Sequence, residues 1–537
     1  MRHPYKTLYW ILAIVAAVSF DRLFWENPIG INFFLFVLLA LLGGLIPLWL
    51  EKVKVPWTSY LLLAPLAFFA LMAAFRAEPL TNLMNGLITV GSAVLFTVSL
   101  RSGAWPQFNL RDHLAHLFRF FLNCFAGGIR FFSELHKDPA EEGPDTPAPE
   151  KKQKPLAPYL RGLLIALPVL FVLASLLASA DPVFGNRLAG LFNWFEFDNL
   201  GEYLFRLIYI LIIAYLLLGA YFFSLVESAK SEPKNNPNEQ NSGLGLIESS
   251  VVLGAVNLLF LVFVVLQFTY LFGGTENISV EGFTYAEYAR RGFFELLAVA
   301  LISLGLYYLL SMVTPRAGKR QRWLFSALGL LLVAQVGVIL ASALTRLGLY
   351  ESAYGFTRLR TMTHFAIPWL ALLLAAAAGL ELTRKMARMP LAVILFLFGF
   401  GLTVNILNVD AFITRQNITR AEALQPNDDM PALDTGYLVS LSSDAVPPLA
   451  AAFIDPDTPD ELRDSLGGVL ACRLADLSEQ EPTPWTAWHA SRARAASLLK
   501  NQADTLSAYP VSLEEGWRTV EINGETIPCI GDRLPFD

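Results

Sequence analysis

The amino-acid sequence predicts an all-α polytopic membrane protein with about 11 transmembrane helices and a small, mostly helical C-terminal soluble domain that ends in a β-hairpin. The first observation is composition: hydrophobic residues make up 55% of the 537 residues and charged residues only 16%, whereas roughly 25% are charged in ordinary globular proteins. The second is that apolar residues form long uncharged runs, as at 31–50, 57–75 and 323–344. A helix needs about 20 such residues to cross ~30 Å of hydrocarbon. The third is a change after residue 410, where soluble-helix patterns replace the apolar runs.

Each apolar run predicts one membrane span. The predicted spans are 7–24, 31–50, 57–75, 80–100, 160–180, 204–225, 251–271, 292–313, 323–344, 362–380 and 391–408. The first could instead be a signal peptide, although no small-residue cleavage site follows it. The predicted domains are a four-helix segment (1–100), a cytoplasmic amphipathic helix with a Pro-rich linker (101–159), a seven-helix core (160–410) and an acidic extracytoplasmic domain (411–537).

The positions of Lys and Arg predict the orientation. With the N-terminus inside, the cytoplasmic segments hold 22 of the 31 basic residues that precede residue 411, as the positive-inside rule requires. Residues 411–537 carry 9 Lys/Arg and 20 Asp/Glu, so an acidic domain is expected outside. On the inner side, apolar residues recur at helical spacing between Asp112 and His136, which predicts an amphipathic helix in the membrane interface.

Local patterns predict helices and a hairpin in the C-terminal region. Asp444 precedes Ala-Val-Pro and is expected to cap a helix, and further helices are predicted at 459–477 and 485–506. Asn523-Gly524 joins two alternating runs, which is a strong hairpin signal. Cys472 and Cys529 both lie here, and either a disulfide or two small buried thiols is consistent with the sequence.

Familiar catalytic patterns are missing from the sequence. It contains no Walker loop, no His-Glu-x-x-His and no Gly-x-Ser-x-Gly, so whether the protein is an enzyme is uncertain, and a non-enzymatic role is favoured. His113 and His116 are three residues apart but are expected to be surface residues of the amphipathic helix. We therefore expect no metal and no cofactor. Because no segment is strongly basic, we also expect no nucleic-acid partner.

Polar residues at the edges of the spans are the candidate site, because each is costly inside a membrane. The predicted orientation brings most of them to the outer face. They are Asp181, Gln267, Tyr285, Glu287, Arg290, Arg291, Glu295, Tyr354, Arg358, Arg360, His364, Asn408 and Asp410. One interpretation is that these charges pair with each other and lock the bundle to the C-terminal domain. The other is a pocket for a small or anionic ligand, with Arg290, Arg358 and Arg360 as donors. Gln335, alone in its span, is expected to form a helix–helix hydrogen bond.

Several of these segments resemble a known family. The run Tyr285-Ala-Glu-Tyr-Ala-Arg-Arg-Gly-Phe-Phe-Glu-Leu296 is similar to the signature of a bacterial multipass membrane family (domain of unknown function 4173, with a sister group 4153). Supporting matches lie at 178–184, 270–274, 354–360, 408–413 and 437–447. The resemblance covers roughly residues 160–475 and implies a bacterial cytoplasmic (inner) membrane, but no biochemical activity.

The leading hypothesis is a non-enzymatic envelope sensor or scaffold. Besides the lipid bilayer, its expected partner is an envelope protein or a small ligand that meets the outer polar residues and the acidic domain. One alternative is a small-solute transporter or permease. Another is a membrane enzyme acting on a lipid-linked substrate, for which Glu287, Glu295, His364 and Asp410 are the acid–base candidates.

Overall fold

A computed structural model describes residues 6–135, 200–231, 244–271, 293–316, 318–423, 433–479, 484–514, 517–522 and 524–529, with single positions between 166 and 187. The chain divides into two compact units. The first comprises residues 1–25, 39–53 and 120–225, and the second comprises 26–38, 54–119 and 226–537.

The described residues before 408 are almost entirely helical. These helices are α1 Lys6–Phe24, α2 Ile31–Leu50, α3 Trp57–Tyr60, α4 Leu63–Met72, α5 Pro79–Ser99, α6 Leu110–Leu135, α7 Leu200–Phe222, α8 Leu246–Leu271, α9 Phe293–Val313, α10 Lys319–Tyr354, α11 Arg358–Leu382 and α12 Met389–Leu407. A π-helical turn, Phe223–Glu227, extends α7.

Within the described residues, nine helices are long and apolar enough to cross a membrane, which confirms the predicted class of a polytopic helical membrane protein. The predicted span at 57–75 consists of the shorter helices α3 and α4. Most of the predicted span at 160–180 lies outside the described residues, as does the Pro-rich linker at 139–158. The amphipathic helix is α6, and its predicted apolar residues Leu114, Phe118 and Phe125 are exposed.

In the first unit, α1 packs along α7. Asp21 is buried near the end of α1 and accepts two hydrogen bonds from the guanidinium of Arg206, at 2.9 and 2.7 Å. Tyr209 also donates to Asp21. These bonds fix the register of the two helices, because a buried carboxylate needs partners.

In the second unit, α8 and α11 pack on α10, and α12 packs between α11 and α5. The apolar core includes Tyr307 and Phe325, whose rings are stacked at 6.1 Å. Gln335 donates from its Nε2 to the carbonyl of Asn257 at 3.1 Å, which confirms the predicted helix–helix hydrogen bond. Gly399 lies under Trp369, and a Cβ there would come 2.0 Å from the indole.

The C-terminal region belongs to the second unit. It comprises α13 Val409–Ala423, α14 Thr435–Ser440, α15 Val446–Ile454, α16 Asp460–Glu479, α17 Ala490–Asn501, α18 Ala503–Leu506 and the strands β1 Val511–Glu514, β2 Trp517–Ile522 and β3 Glu525–Pro528. Its apolar core joins α14, α15, α16 and the sheet. The predicted third helix at 485–506 begins later, because Trp485–Ala487 is a 3-10 turn and His489 is the N-cap of α17.

The three strands form an antiparallel sheet in the order β1-β2-β3. In β2 and β3, Val520 pairs with Ile527 and Ile522 with Glu525, which confirms the predicted hairpin. Gly524 supplies the positive φ of +81° in the turn. Cys472 of α16 and Cys529 after β3 form a disulfide with their Cα atoms 5.3 Å apart.

Candidate functional site

Arg358 and Asp410 form an ion pair between the first residue of α11 and the second residue of α13. The Nε and Nη2 atoms of Arg358 donate to Oδ1 and Oδ2 of Asp410 at 2.9 and 2.7 Å. Asp410 is fully buried, and its Oδ2 also accepts the backbone N–H of Ser442 at 2.7 Å. This paired, two-point contact is the strongest ion-pair geometry available to arginine. It joins the membrane helix α11 to two segments of the C-terminal region.

Local chain geometry places Asp410 for this contact. Asn408 adopts a left-handed conformation, with φ 55°, and donates its backbone N–H to the carbonyl of Val404 at 3.2 Å. That conformation ends α12 and allows α13 to begin at the next residue in a new direction. Asp410 is therefore in the first turn of α13.

Two further groups surround Arg358. Glu78 lies 3.6 Å from the Nε of Arg358 and also caps α5, where its carboxylate accepts the N–H groups of Leu80 and Thr81. The backbone N–H of Arg358 donates to the Tyr437 hydroxyl at 2.7 Å. Burial raises the pKa of Tyr437 to about 12, so this hydroxyl stays protonated at neutral pH.

Asp444 is the second buried carboxylate of the site. Its Oδ2 accepts the backbone N–H of Ala77 at 2.6 Å, and its Oδ1 accepts the Asn408 amide at 3.1 Å and the Ser491 hydroxyl at 2.8 Å. Burial raises the pKa of Asp444. Asp444 thus connects the loop before α5, the end of α12 and helix α17.

The predicted role of Asp444 as a helix cap is wrong. Ser442 takes that role, since its side chain accepts the N–H of Asp444 at 3.3 Å at the start of the 3-10 turn Ser443–Ala445, which leads directly into α15. The helical segment therefore begins before Asp444. The Asp444 carboxylate is left to bond groups that are distant in sequence.

Arg76 and His489 extend the contact. Arg76 donates from its Nε to the carbonyl of Asn405 at 2.7 Å, while the Arg76 carbonyl lies 3.2 Å from the Nε2 of His489. The neighbouring N–H of Ala490 donates to the carbonyl of Ala74 at 2.8 Å. Burial lowers the pKa of His489 to about 4, so its imidazole is neutral at pH 7 and donates from Nε2. We call Arg76, Glu78, Arg358, Asn408, Asp410, Tyr437, Ser442, Asp444, His489 and Ser491 the docking cluster.

A pair of buried side-chain amides lies next to the docking cluster, inside the helix bundle. Asn85 of α5 and Asn405 of α12 exchange reciprocal hydrogen bonds, at 3.1 and 2.7 Å, and both are fully buried. Asn405 also donates to the carbonyl of Gly401 at 2.9 Å. This pair fixes α5 against α12 directly beneath the docking cluster.

The predicted candidates His364 and Arg360 lie in a neighbouring group of contacts. The Nδ1 of His364 is 2.8 Å from Oε2 of Glu351, which is buried in the last turns of α10. Arg360 donates to the carbonyl of Gly355 at 2.7 Å, and its guanidinium lies 3.9 Å from the ring centroid of Tyr350. The structure therefore separates Arg360 from Arg358, which the sequence had placed in one donor set.

The remaining candidates are dispersed. Gln267 accepts from the Ser342 hydroxyl at 2.7 Å and from Arg346 at 3.0 Å. Asp181 is exposed and accepts the N–H of Val183 at 2.8 Å. Two candidates, Tyr354 and Glu295, are exposed, and four lie outside the described residues: Tyr285, Glu287, Arg290 and Arg291.

Several members of the docking cluster are not predicted by the sequence. Arg76 and Glu78 stand between two apolar runs, so they read as ordinary loop residues. Glu351, the partner of His364 outside the cluster, also resembles a loop residue in the sequence, because the predicted span 323–344 ends seven residues before it. The available signal was that each of them lies within a few residues of a span, where a charge is costly.

The opposite end of the second unit holds a separate ion pair. Arg316, after α9, donates to Glu381 of α11 at 2.8 Å and lies 4.0 Å from the Phe325 ring. The Ser326 hydroxyl also donates to Glu381. Arg316 lies between the predicted spans 292–313 and 323–344, in a segment that the predicted orientation places in the cytoplasm.

The fold and the docking cluster together define a multipass membrane protein whose C-terminal region is bonded to the ends of its membrane helices. In the described part of the chain, no group of three or more His, Cys, Asp or Glu residues is placed to hold a metal ion.

The chain belongs to the family described as Domain of unknown function (DUF4153), whose family model matches residues 63–452. This match confirms the resemblance to the 4153 group, whereas membership of the 4173 group stays a prediction. The matched region includes Arg76 through Asp444, while His489 and Ser491 lie beyond it. No curated protein and no solved structure matches the chain significantly.

Proposed function

We propose that the protein is a non-enzymatic scaffold of a bacterial cytoplasmic membrane. In this proposal the docking cluster holds the C-terminal region in a fixed position on the extracytoplasmic side, where its acidic surface meets a partner in the envelope. The excess of acidic residues after position 410 favours a partner with a basic surface.

The state of the two buried carboxylates carries this proposal. Both oxygens of Asp410 accept hydrogen bonds from Arg358 or Ser442. Both oxygens of Asp444 accept hydrogen bonds from within the chain as well. A ligand site or a catalytic acid needs groups that are available to another molecule, and these groups are already used to join segments of the protein. The arrangement supports the ion-pair interpretation of the polar residues over the pocket interpretation.

Two observations support the extracytoplasmic side. Most basic residues fall in the segments that would then be cytoplasmic, and the Cys472–Cys529 disulfide is the form expected in an oxidising compartment. Labelling of intact cells with a membrane-impermeant thiol reagent tests this. Cys472 and Cys529 should label only after reduction, and buried Cys124 should remain unlabelled. Labelling of the pair only after cell lysis would place the C-terminal region inside.

The scaffold role is tested by comparing protein level with the phenotype of a deletion strain. Asp410→Asn should lower the amount of folded protein and weaken the phenotype in proportion, while Asp457→Asn at an exposed position serves as the matched control. If Asp410→Asn leaves normal amounts of folded protein but abolishes function, Asp410 acts in binding or catalysis and the proposal fails.

A second candidate function, a small-ligand sensor, is supported by Glu351 and His364. Glu351 is buried, yet its Oε1 accepts no hydrogen bond from the residues that the structure describes. The His364 side chain beside it is 40% exposed. A ligand with a hydrogen-bond donor, such as a polyamine, would supply the missing bond. A rise in melting temperature with spermidine that is lost in His364→Ala would favour this candidate, and an unchanged temperature would remove it.

A further inference from the structure

Two exposed tryptophans lie in the turn that precedes α17. Trp485 is 74% exposed and Trp488 is 45% exposed. Trp485 lies within the 3-10 turn Trp485–Ala487, and Trp488 follows it. The indole of tryptophan combines a large apolar ring with one polar N–H, and the docking cluster does not use either indole.

Backbone contacts place this turn at the start of a membrane helix. The N–H of Ile31, the first residue of α2, donates to the carbonyl of Trp488 at 2.9 Å. Gly30 lies so close that a Cβ there would come 2.6 Å from the carbonyl oxygens of Ala487 and Trp488. Because α2 is an uncharged apolar span of 20 residues, its first residue marks a membrane boundary.

The same turn also meets the end of α4. The rings of Trp488 and Phe75 are in edge contact, with centroids 6.2 Å apart, and Ala490 bonds to the carbonyl of Ala74. Contacts with two separate membrane segments therefore place the turn at a membrane boundary, at the end of the bundle where α5 begins.

A second pair of exposed tryptophans marks the other end of the same unit. Trp57 is 71% exposed, and Trp323, two residues before the Phe325 ring that Arg316 contacts, is 73% exposed. The residue two after Trp57, Ser59, donates to the carbonyl of Ser99 at the end of α5. Helix α5 has 21 residues and so is about 30 Å long, which equals the thickness of the hydrocarbon core. Tryptophan is enriched at both boundaries of a bilayer, where its apolar ring and its N–H are both accommodated.

We propose that the Trp485–Trp488 turn is a lipid-binding anchor, with the Trp485 indole inserted among the headgroups and uppermost acyl carbons of the bilayer. The anchor ties the C-terminal region to the membrane surface at a second place, beside the docking cluster. The proposal depends on the position of the turn at a membrane boundary and not on the side of the membrane that the turn faces. It is therefore independent of the proposed function.

Quenching of tryptophan fluorescence by brominated lipid tests this anchor in the full-length protein. The protein is reconstituted in phosphatidylcholine vesicles with or without bromine on the acyl carbons nearest the headgroup. Subtracting the fluorescence emission of Trp485→Phe from that of the wild type isolates the emission of Trp485. Brominated lipid should quench this emission as strongly as it quenches the emission of Trp57, obtained in the same way from Trp57→Phe. Aqueous acrylamide should quench the Trp485 emission weakly.

Trp517 is the matched control for a tryptophan that faces water. It is 66% exposed and opens β2, which packs on α16 of the C-terminal region. The emission of Trp517, obtained in the same way from Trp517→Phe, should be quenched by acrylamide and not by brominated lipid. If Trp485 behaves like Trp517, the turn faces water or a protein partner and the proposal is overturned.

A second measurement leaves Trp485 in place. A nitroxide attached at Pro484→Cys, an exposed neighbouring position, should be relaxed more by oxygen than by a water-soluble nickel chelate. Cys124 is buried and burial raises the pKa of its thiol to about 11, so it should not compete for the label. Preferential relaxation by the nickel chelate would also overturn the proposal.

Discussion

Replacing Asp410 tests whether the docking cluster holds the C-terminal region. Asp410→Asn keeps the size of the side chain but removes its charge, so one amide oxygen replaces two carboxylate oxygens that accept from Arg358 and Ser442. The guanidinium of Arg358 then loses its close partner, and Glu78, at 3.6 Å, is the carboxylate that remains beside it. Removing one member of a buried ion pair costs about 3–5 kcal/mol, and we expect about 3 kcal/mol because Asn retains one acceptor.

The assay is hydrogen exchange of the peptide that contains the Ser442 amide. Since a factor of ten corresponds to 1.4 kcal/mol, the expected loss would raise the opening equilibrium, and with it exchange, by about 100-fold. Asp457→Asn is the matched control, because Asp457 is exposed and should change exchange by no more than about two-fold. Equal exchange in the two variants would refute the reasoning.

A double-mutant cycle separates the pair from general damage. Arg358→Met alone should be destabilising, since Asp410 is fully buried and would be left without its cation. Combining it with Asp410→Asn should cost less than the sum of the two single changes by about 2 kcal/mol. Additive losses would show that the two residues do not depend on each other.

The remaining predictions concern the C-terminal region and the helices beneath it. Burial lowers the pKa of His489 from 6.5 to about 4, so the fold favours its neutral form; this stability is present above pH 6.5 and is lost as the pH falls towards 4, by about 3 kcal/mol at most. Unfolding titrations between pH 7 and 4 should show a smaller acid loss in His489→Gln than in wild type, and identical pH profiles would contradict the assignment. Reducing the Cys472–Cys529 disulfide, which spans 57 residues, should cost about 4 kcal/mol by the loop-entropy relation; unfolding midpoints unaffected by reductant would exclude this. Asn85→Leu should lower the free energy of unfolding by about 2 kcal/mol because Asn405 loses its partner. Changing both Asn85 and Asn405 to Leu should lower it less. A double variant less stable than Asn85→Leu alone would argue against the reciprocal pair.

The membrane class could be predicted from the sequence because its cause is local. An apolar run of about 20 residues has few stable positions outside a bilayer, and nine described helices meet that criterion. The hairpin was predictable for a similar reason, since Asn523-Gly524 specifies its own turn. In each case the residues that determine the structure are adjacent in the chain.

The docking cluster could be predicted only in part. Arg358 and Asp410 were found because a charge beside a span is conspicuous, but the sequence could not show that they pair with each other. The contact of Arg358 with Glu78 joins residues 280 positions apart, and no periodic pattern encodes such a separation. Asp444 was misread because its sequence neighbours satisfy the rule for a helix cap, while its actual partners come from distant segments.

The chemistry of the cluster bears on why these contacts are ionic at all. A buried ion pair seldom adds stability beyond that of well-packed apolar residues of the same size. The Arg358–Asp410 pair is therefore not expected to hold the C-terminal region more strongly than an apolar contact would. The pair instead fixes an orientation, because a two-point contact forms in one orientation only. Apolar helix ends could meet the C-terminal region in several registers, whereas Asp410 and Asp444 accept donors from fixed positions on α11, α12 and the loop before α5. We infer that the cluster sets one orientation of the C-terminal region on the bundle, which is the property that a scaffold needs.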